Sequence, residues 1–158
     1  MLPLIQKART TIMLAVSVVA CVLFSFTTKP GGEGFEIYLN NKLVMQRFNS
    51  QVNTVQTLQL DPSYANAQLS IKYFHCGKVG KNRSITIKDG QNKILKEWHF
   101  TDVSAVSSPM SCSVKDILTL KKTSSVMNLY YASSELPAGR QLAAIVIGST
   151  NTAALTAK

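Results

Sequence analysis

The chain has 158 residues, of which 46% are hydrophobic and 16% are charged, and its formal net charge is +9. This composition excludes wholesale disorder, and the length suits one domain that is large enough to bury a core. The excess of basic residues favours an anionic partner over a cationic one.

The first 28 residues have the pattern of an export signal. Lys7 and Arg9 form a positively charged start, and residues 12–26 are an unbroken run of apolar or small side chains. That order is typical of a secretory leader. We therefore predict that the protein is exported, and that it is periplasmic, extracellular or tethered to a membrane through its N-terminus.

Three fates of this leader stay open. Cleavage near residues 25–28 would release an ordinary mature protein. Residues 18–21, with the sequence VVAC, resemble the bacterial lipobox. Lipidation of Cys21 would tether the protein to a membrane surface, although the apolar residues 22–24 depart from the usual lipoprotein pattern. Residues 10–26 also reach the short limit of a spanning helix, so an uncleaved anchor is the third alternative.

After a Gly-rich linker at residues 29–34, the sequence predicts strands as far as residue 147. Apolar and polar residues alternate as they do in half-buried strands. Turn residues such as Asn40-Asn41 and Asp89-Gly90 separate the alternating runs. The predicted strands are residues 35–39, 43–48, 55–60, 69–73, 85–88, 94–100, 126–132 and 141–147.

The rest of the chain adds little regular structure. Residues 110–114 are compatible with a strand fragment, and Ser113 with Asp116 resembles a capping box that predicts one or two helical turns. Residues 148–158 are small and polar, which predicts a flexible tail. About eight short strands with at most one short helix predict an all-β fold, an antiparallel β-sandwich spanning residues 35–147.

The cysteines predict a covalent link. With Cys21 in the leader, Cys76 and Cys112 remain, and export favours a disulfide bond between them. That bond would close a loop of about 37 residues and contribute roughly 4 kcal/mol. The alternatives are free thiols, or a metal site that adds His75 and His99 but lacks the ligand spacing of zinc sites. We predict neither a metal nor a cofactor.

Four phrases of the sequence resemble those of a known group of proteins. They are PGGEGFEIYLNNK, YFHCGKVGKNRSITIKD, NKILKEWHF and LYYASSELPAGR. They resemble phrases of small exported bacterial proteins of unknown function, over most of residues 30–147. The resemblance implies a single exported domain of the same kind, and it assigns no activity and no catalytic residue.

The densest basic cluster lies between residues 72 and 96. If Lys72, Lys88 and Lys96 share an outer sheet face, they would form a positive strip that attracts polyanions. Export argues against nucleic acid and leaves an anionic glycan or a membrane surface as the partner. Lysines on exposed strands also discourage edge pairing, which is the alternative role of this cluster. The candidate anion-binding residues are Lys72, Lys78, Lys81, Arg83, Lys88 and Lys96.

No catalytic motif is recognisable in the sequence. His75 or His99 could supply a base, but there is no Gly-x-Ser-x-Gly elbow or other ordered nucleophile motif. We therefore predict an exported, non-enzymatic β-sandwich of the cell envelope with a binding or structural role. The alternatives are a polyanion- or glycan-binding module that uses the basic strip at residues 72–96, and a hydrolase that uses His75 or His99.

Overall fold

The computed structural model describes residues 32–124 and 126–148. The predicted leader, the predicted lipidation site Cys21 and residues 149–158 of the predicted tail lie outside these residues. The described elements are β1 (Glu33–Leu39), β2 (Lys42–Phe48), β3 (Gln56–Leu60), β4 (Gln68–His75), β5 (Arg83–Lys88), β6 (Ile94–Phe100), β7 (Met110–Ser113), α1 (Val114–Leu120), β8 (Met127–Ser133) and β9 (Leu136–Ile147), with 3-10 turns at Asn49–Asn53 and Pro62–Tyr64.

The strands form two sheets. The front sheet has the strand order β2-β1-β4-β7, and the back sheet has the order β3-β9-β8-β5-β6. Neighbouring strands are antiparallel except β3 and β9, which are parallel. The predicted all-β sandwich is confirmed, and the strand fragment expected at residues 110–114 is the edge strand β7, which runs directly into α1.

The core lies between the two sheets. In β4 and β8, every second residue is buried. The alternation of apolar and polar side chains predicts this for residues 69–73, whereas the polar His75 and Ser133 are buried at the ends of the two strands. Full burial of one large apolar side chain contributes about 1.5–3 kcal/mol, so these layers dominate the stability of the domain. The largest fully buried side chains are Tyr131, Phe35, Ile37, Leu60, Leu69, Ile71, Ile85, Ile87, Met110, Ile117, Met127 and Leu129.

Two predicted hairpins are present, and their turns differ. Asn40 and Asn41 connect β1 to β2 with φ angles of 47° and 66°, the left-handed pair that a type I′ turn requires. The β5–β6 turn is longer than a two-residue turn. There the Asp89 carboxylate accepts hydrogen bonds from the backbone N–H groups of Gln91 and Lys93, and Asn92 takes the positive φ.

The domain starts earlier than the sequence predicts. Strand β1 begins at Glu33, so the end of the predicted linker at residues 29–34 is wrong. Gly34 is buried and faces Phe48 on one neighbouring strand and Phe74 on the other. The two rings meet over it with centroids 5.4 Å apart. This glycine therefore serves close packing on the outer side of the front sheet rather than flexibility.

The predicted disulfide bond is wrong. Cys112 is buried in β7 directly opposite Leu69, whereas Cys76 is exposed in the turn beyond the other end of β4. The strand rise places these positions about 23 Å apart, and a disulfide requires Cα atoms within about 7 Å. Both cysteines are thiols, and burial raises the pKa of Cys112 to about 12.

Candidate functional site

The three lysines of the predicted strip do not share a face. Lys72 lies on the outer side of the front sheet, between inward-facing neighbours in β4. Lys88 belongs to β5 of the back sheet. Lys96 stands opposite the buried Ile87, on the inner side of the edge strand β6, where a charge discourages pairing with another chain. The prediction of one continuous strip is therefore wrong, because β4 and β5 belong to different sheets.

Arg83 is also not a surface cation. Its side chain is buried, and its guanidinium donates hydrogen bonds to the backbone carbonyls of Thr101 (3.0 Å) and Ser108 (2.9 Å). Arg83 thus holds the connection between β6 and β7 against the end of the sandwich. Lys78 and Lys81 lie in the loop between β4 and β5 and are exposed. The six candidate residues consequently do not form one anion-binding surface.

A small cleft opens at the end of the sandwich where β4 finishes. Its volume is about 220 Å³. The Glu135 carboxylate accepts a hydrogen bond from the backbone N–H of Lys81 at 2.9 Å, which lowers the pKa of Glu135. The residues lining this end cleft are Glu33, His75, Cys76, Lys78 and Glu135.

His75 forms the inner wall of the end cleft and is already engaged. It is 8% exposed, and its Nε2 lies 2.8 Å from the Tyr131 hydroxyl and 3.4 Å from the Ser133 hydroxyl. Burial lowers the pKa of His75, and the nearby Glu135 and Glu33 carboxylates oppose that shift only in part. The imidazole is therefore held neutral and bonded inside the protein.

Acidification is expected to destabilise the fold through His75. Because the folded protein lowers this pKa, the unfolded chain binds the extra proton first as the pH falls below about 6.5. The free energy of unfolding should fall through that range. Urea unfolding at a series of pH values measures it, with His75→Gln as the matched variant. An identical pH dependence for His75→Gln would contradict the expectation, and any further loss at lower pH reports carboxylates such as Glu135.

Beside His75, a series of polar and aromatic contacts joins the two sheets. The Tyr73 hydroxyl donates to Glu33 Oε1 at 2.6 Å, and Arg140 Nη2 lies 3.3 Å from Glu33 Oε2. The Tyr73 ring stacks on Tyr131 with centroids 4.2 Å apart and planes 14° from parallel. Burial, followed by the bond to Glu33, raises the pKa of Tyr73. These contacts join β1 and β4 of the front sheet to β8 and β9 of the back sheet.

His99 lies in a different environment. Its side chain is 76% exposed on β6, and its Nε2 lies 3.5 Å from Glu97 Oε2. It is not part of the end cleft. Among residues 32–124 and 126–148, no three His, Cys, Asp or Glu side chains come close enough to hold a metal ion. The four-ligand site of Cys76, Cys112, His75 and His99 cannot form in any case, because Cys112 pairs with the start of β4 whereas Cys76 follows its end.

The outer side of the front sheet carries a larger groove, of about 340 Å³. The Tyr38 hydroxyl donates a 2.6 Å hydrogen bond to Glu36 Oε2, which is the main reason that the pKa of Tyr38 is raised. The Lys72 ammonium lies 4.9 Å from the centroid of the Tyr38 ring, within cation–π range. The residues lining this outer groove are Tyr38, Asn41, Ser70, Lys72, Pro109 and Ser111.

The pairing of β4 with β7 completes the outer groove. Ser70 and Ser111 stand opposite each other in register, and their hydroxyl oxygens are 2.7 Å apart. The site could not be predicted as a whole, because nothing in the local sequence pattern indicates that β7 pairs with β4. The sequence does place Tyr38 and Lys72 at polar, outward-facing positions of two alternating strands, and this part of the site could have been predicted.

The back sheet has a comparable lysine–tyrosine pair on its own outer side. The Lys88 ammonium lies 4.5 Å from the centroid of the Tyr130 ring. The Tyr130 hydroxyl donates to Gln141 Oε1 at 3.3 Å, and Gln141 Nε2 donates to Asn128 Oδ1 at 2.8 Å. The two pairs provide matched positions for substitution, one at the outer groove and one on the other sheet.

Comparison of the chain with protein-family models and with curated proteins gives no match. In the part of the chain that the structure describes, no helix has the length and apolar character to cross a membrane.

Proposed function

We propose that this protein is an exported, non-enzymatic β-sandwich of the cell envelope that acts by binding a ligand on its front sheet. The pattern of the first 28 residues supports export. The observation that carries the binding role is the outer groove. It combines an aromatic ring, hydroxyl groups, an amide and an ammonium on a rigid sheet.

The environments of the two histidines favour the alternative function, a hydrolase, less than they favour a binding role. A catalytic base needs a free ring nitrogen within hydrogen-bond reach of its nucleophile, and the Nε2 of the buried His75 is bonded to Tyr131 at 2.8 Å. His99 is exposed and contacts the Glu97 carboxylate. Hydrolysis of a panel of glycans or esters that is lost on His99→Ala or His75→Gln would contradict the binding role.

Mass spectrometry of the native protein tests the export part of the proposal. We expect the protein in the envelope or secreted fraction, either shortened at its N-terminus, beginning at a lipidated Cys21, or retained as an anchored chain. An unmodified full-length chain in the cytosolic fraction would overturn export. The same sample should show Cys76 alkylated in the native state and Cys112 alkylated only after unfolding, because Cys112 is buried and Cys76 is exposed.

A further inference from the structure

We infer that the outer groove binds an acidic oligosaccharide, with the Lys72 ammonium pairing with a sugar carboxylate and the Tyr38 ring contacting a sugar face. This inference rests on the proposed binding function and names its ligand class. It depends on the fixed orientation of Tyr38, on a Lys72 ammonium that forms no ion pair or hydrogen bond with the described residues, and on the hydroxyl and amide groups around them.

Tyr38 is positioned as a rigid platform. Its hydroxyl is anchored to the Glu36 carboxylate at 2.6 Å, so the ring loses little further freedom when a ligand binds. A tyrosine ring supplies a large apolar contact area at low cost in conformational entropy. The C–H face of a pyranose ring is the part of a sugar that such a surface can cover, while the sugar hydroxyls stay free to form hydrogen bonds.

Lys72 supplies the charge. Within residues 32–124 and 126–148, its ammonium forms no ion pair and no hydrogen bond, and its position is set by the Tyr38 ring 4.9 Å away. Three N–H donors are thus available beside the ring. Glu36 stands across from Lys72 in register, but its carboxylate accepts the Tyr38 hydroxyl and is not part of the groove lining. Among the residues that line the groove, Lys72 is the charged one, so the lining itself favours an anionic ligand.

The remaining lining groups match a hydroxyl-rich ligand. The Ser70–Ser111 contact at 2.7 Å uses one hydroxyl hydrogen, which leaves the other hydrogen and several lone pairs for the ligand. Asn41 adds an amide at the end of the β1–β2 hairpin. The groove volume of about 340 Å³ is within the range of small-ligand sites. The hydroxyl and amide groups can both donate and accept hydrogen bonds, which suits the hydroxyls of a sugar, and the Lys72 ammonium suits its carboxylate.

Calorimetric titration of the full mature protein with a galacturonic acid trimer tests the inference, with the neutral galactose trimer as the matched ligand. We expect the acidic trimer to bind at least about tenfold more tightly than the neutral one. Lys72→Ala and Tyr38→Ala should each weaken binding by about tenfold or more, because each removes a direct contact. Lys88→Ala and Tyr130→Ala are the controls, and each should change the affinity by less than about twofold.

Four outcomes would overturn the inference. Equal losses of affinity for the acidic trimer in Lys72→Ala and Lys88→Ala would indicate a diffuse electrostatic attraction. In that case, retention on a heparin-type resin should depend on salt in the same way as binding of the trimer. Equal affinity for the two trimers, with loss on Tyr38→Ala, would refute the acidic ligand and leave the proposed binding function intact. Absence of binding to either trimer would also refute the ligand class. Release of new reducing ends from the trimer would instead refute the non-enzymatic function itself.

Discussion

Replacement of Tyr131 by alanine is expected to lower the free energy of unfolding by about 4 kcal/mol, the typical cost of truncating a buried aromatic side chain. Tyr131 is fully buried, stacks on Tyr73 and bonds to His75. Its ring belongs to the back sheet, whereas both partners belong to the front sheet. The substitution therefore opens a cavity and breaks a polar contact where the sheets are joined. Urea or guanidinium unfolding measures the loss.

Two further variants separate the effect of the cavity from the effect of the lost hydrogen bond. Tyr131→Phe keeps the ring and leaves the His75 Nε2 with only the 3.4 Å contact to Ser133, so it should cost about 1–2 kcal/mol. Tyr130→Ala removes the adjacent tyrosine, which faces outward beneath Lys88, and should cost no more than about 1 kcal/mol. Similar losses for Tyr131→Ala and Tyr130→Ala would contradict the assignment of their faces.

The Gly34→Ala protein is expected to lose about 2–3 kcal/mol of unfolding free energy through overpacking. A Cβ atom at this position would lie 2.2 Å from Phe48 Cδ1 and 2.5 Å from the backbone carbonyl oxygen of Arg47. The ring could turn aside at the cost of its packing on Phe74. The carbonyl belongs to the β1–β2 pairing and could retreat only by distorting the sheet. Chemical denaturation again provides the measurement.

Gly90→Ala is the matched control for this substitution. The nearest atom to a Cβ at Gly90 is Val126 Cγ1 at 3.6 Å, an ordinary contact, so the change should stay within about 0.5 kcal/mol. Adding Phe48→Ala to Gly34→Ala should cost less than the sum of the single changes, because the alanine at position 48 removes the shorter contact. A Gly34→Ala protein as stable as Gly90→Ala would show that β1 and β2 do not pair in this register.

The regular part of the fold could be predicted because it is local. Alternating side chains mark strands wherever one face is buried, and residues 69–73 of β4 follow that rule. Asn40-Asn41 identifies a tight turn because asparagine tolerates the left-handed conformation at low cost. The short helix α1 follows the capping pattern at Ser113, although the Ser113 side chain forms no capping hydrogen bond.

The wrong predictions concern contacts between residues far apart in the chain. Nothing in the sequence around Gly77 and Gly80 shows that β4 and β5 enter different sheets, and the predicted strip depends on a shared face for Lys72 and Lys88. The disulfide prediction used compartment and cysteine number, neither of which reports distance. The contact of Tyr131 with His75 joins residues 56 positions apart, and it ties the two sheets together, whereas the predicted disulfide bond would have linked two strands of the front sheet only.

The outer groove could be predicted only in part. Alternation places Tyr38 and Lys72 on the polar side of their strands, and the strand order then sets them side by side. Ser111 joins them because β7 pairs with β4, a pairing across a long connection that has no local signal. The grouping of these side chains, on which the proposed ligand binding depends, therefore arises from strand order, whereas each strand by itself resembles an ordinary solvated surface.

The most direct test of the proposed function maps where the ligand binds. We would follow backbone amide resonances of the isotope-labelled mature protein during titration with the galacturonic acid trimer. The largest shifts are predicted at Ser70, Lys72 and Ser111, which line the outer groove on the front sheet. Shifts that instead centre on Lys88 and Tyr130 of the back sheet would contradict the assignment of this groove as the binding site, whereas an absence of shifts would refute only the acidic trisaccharide as its ligand.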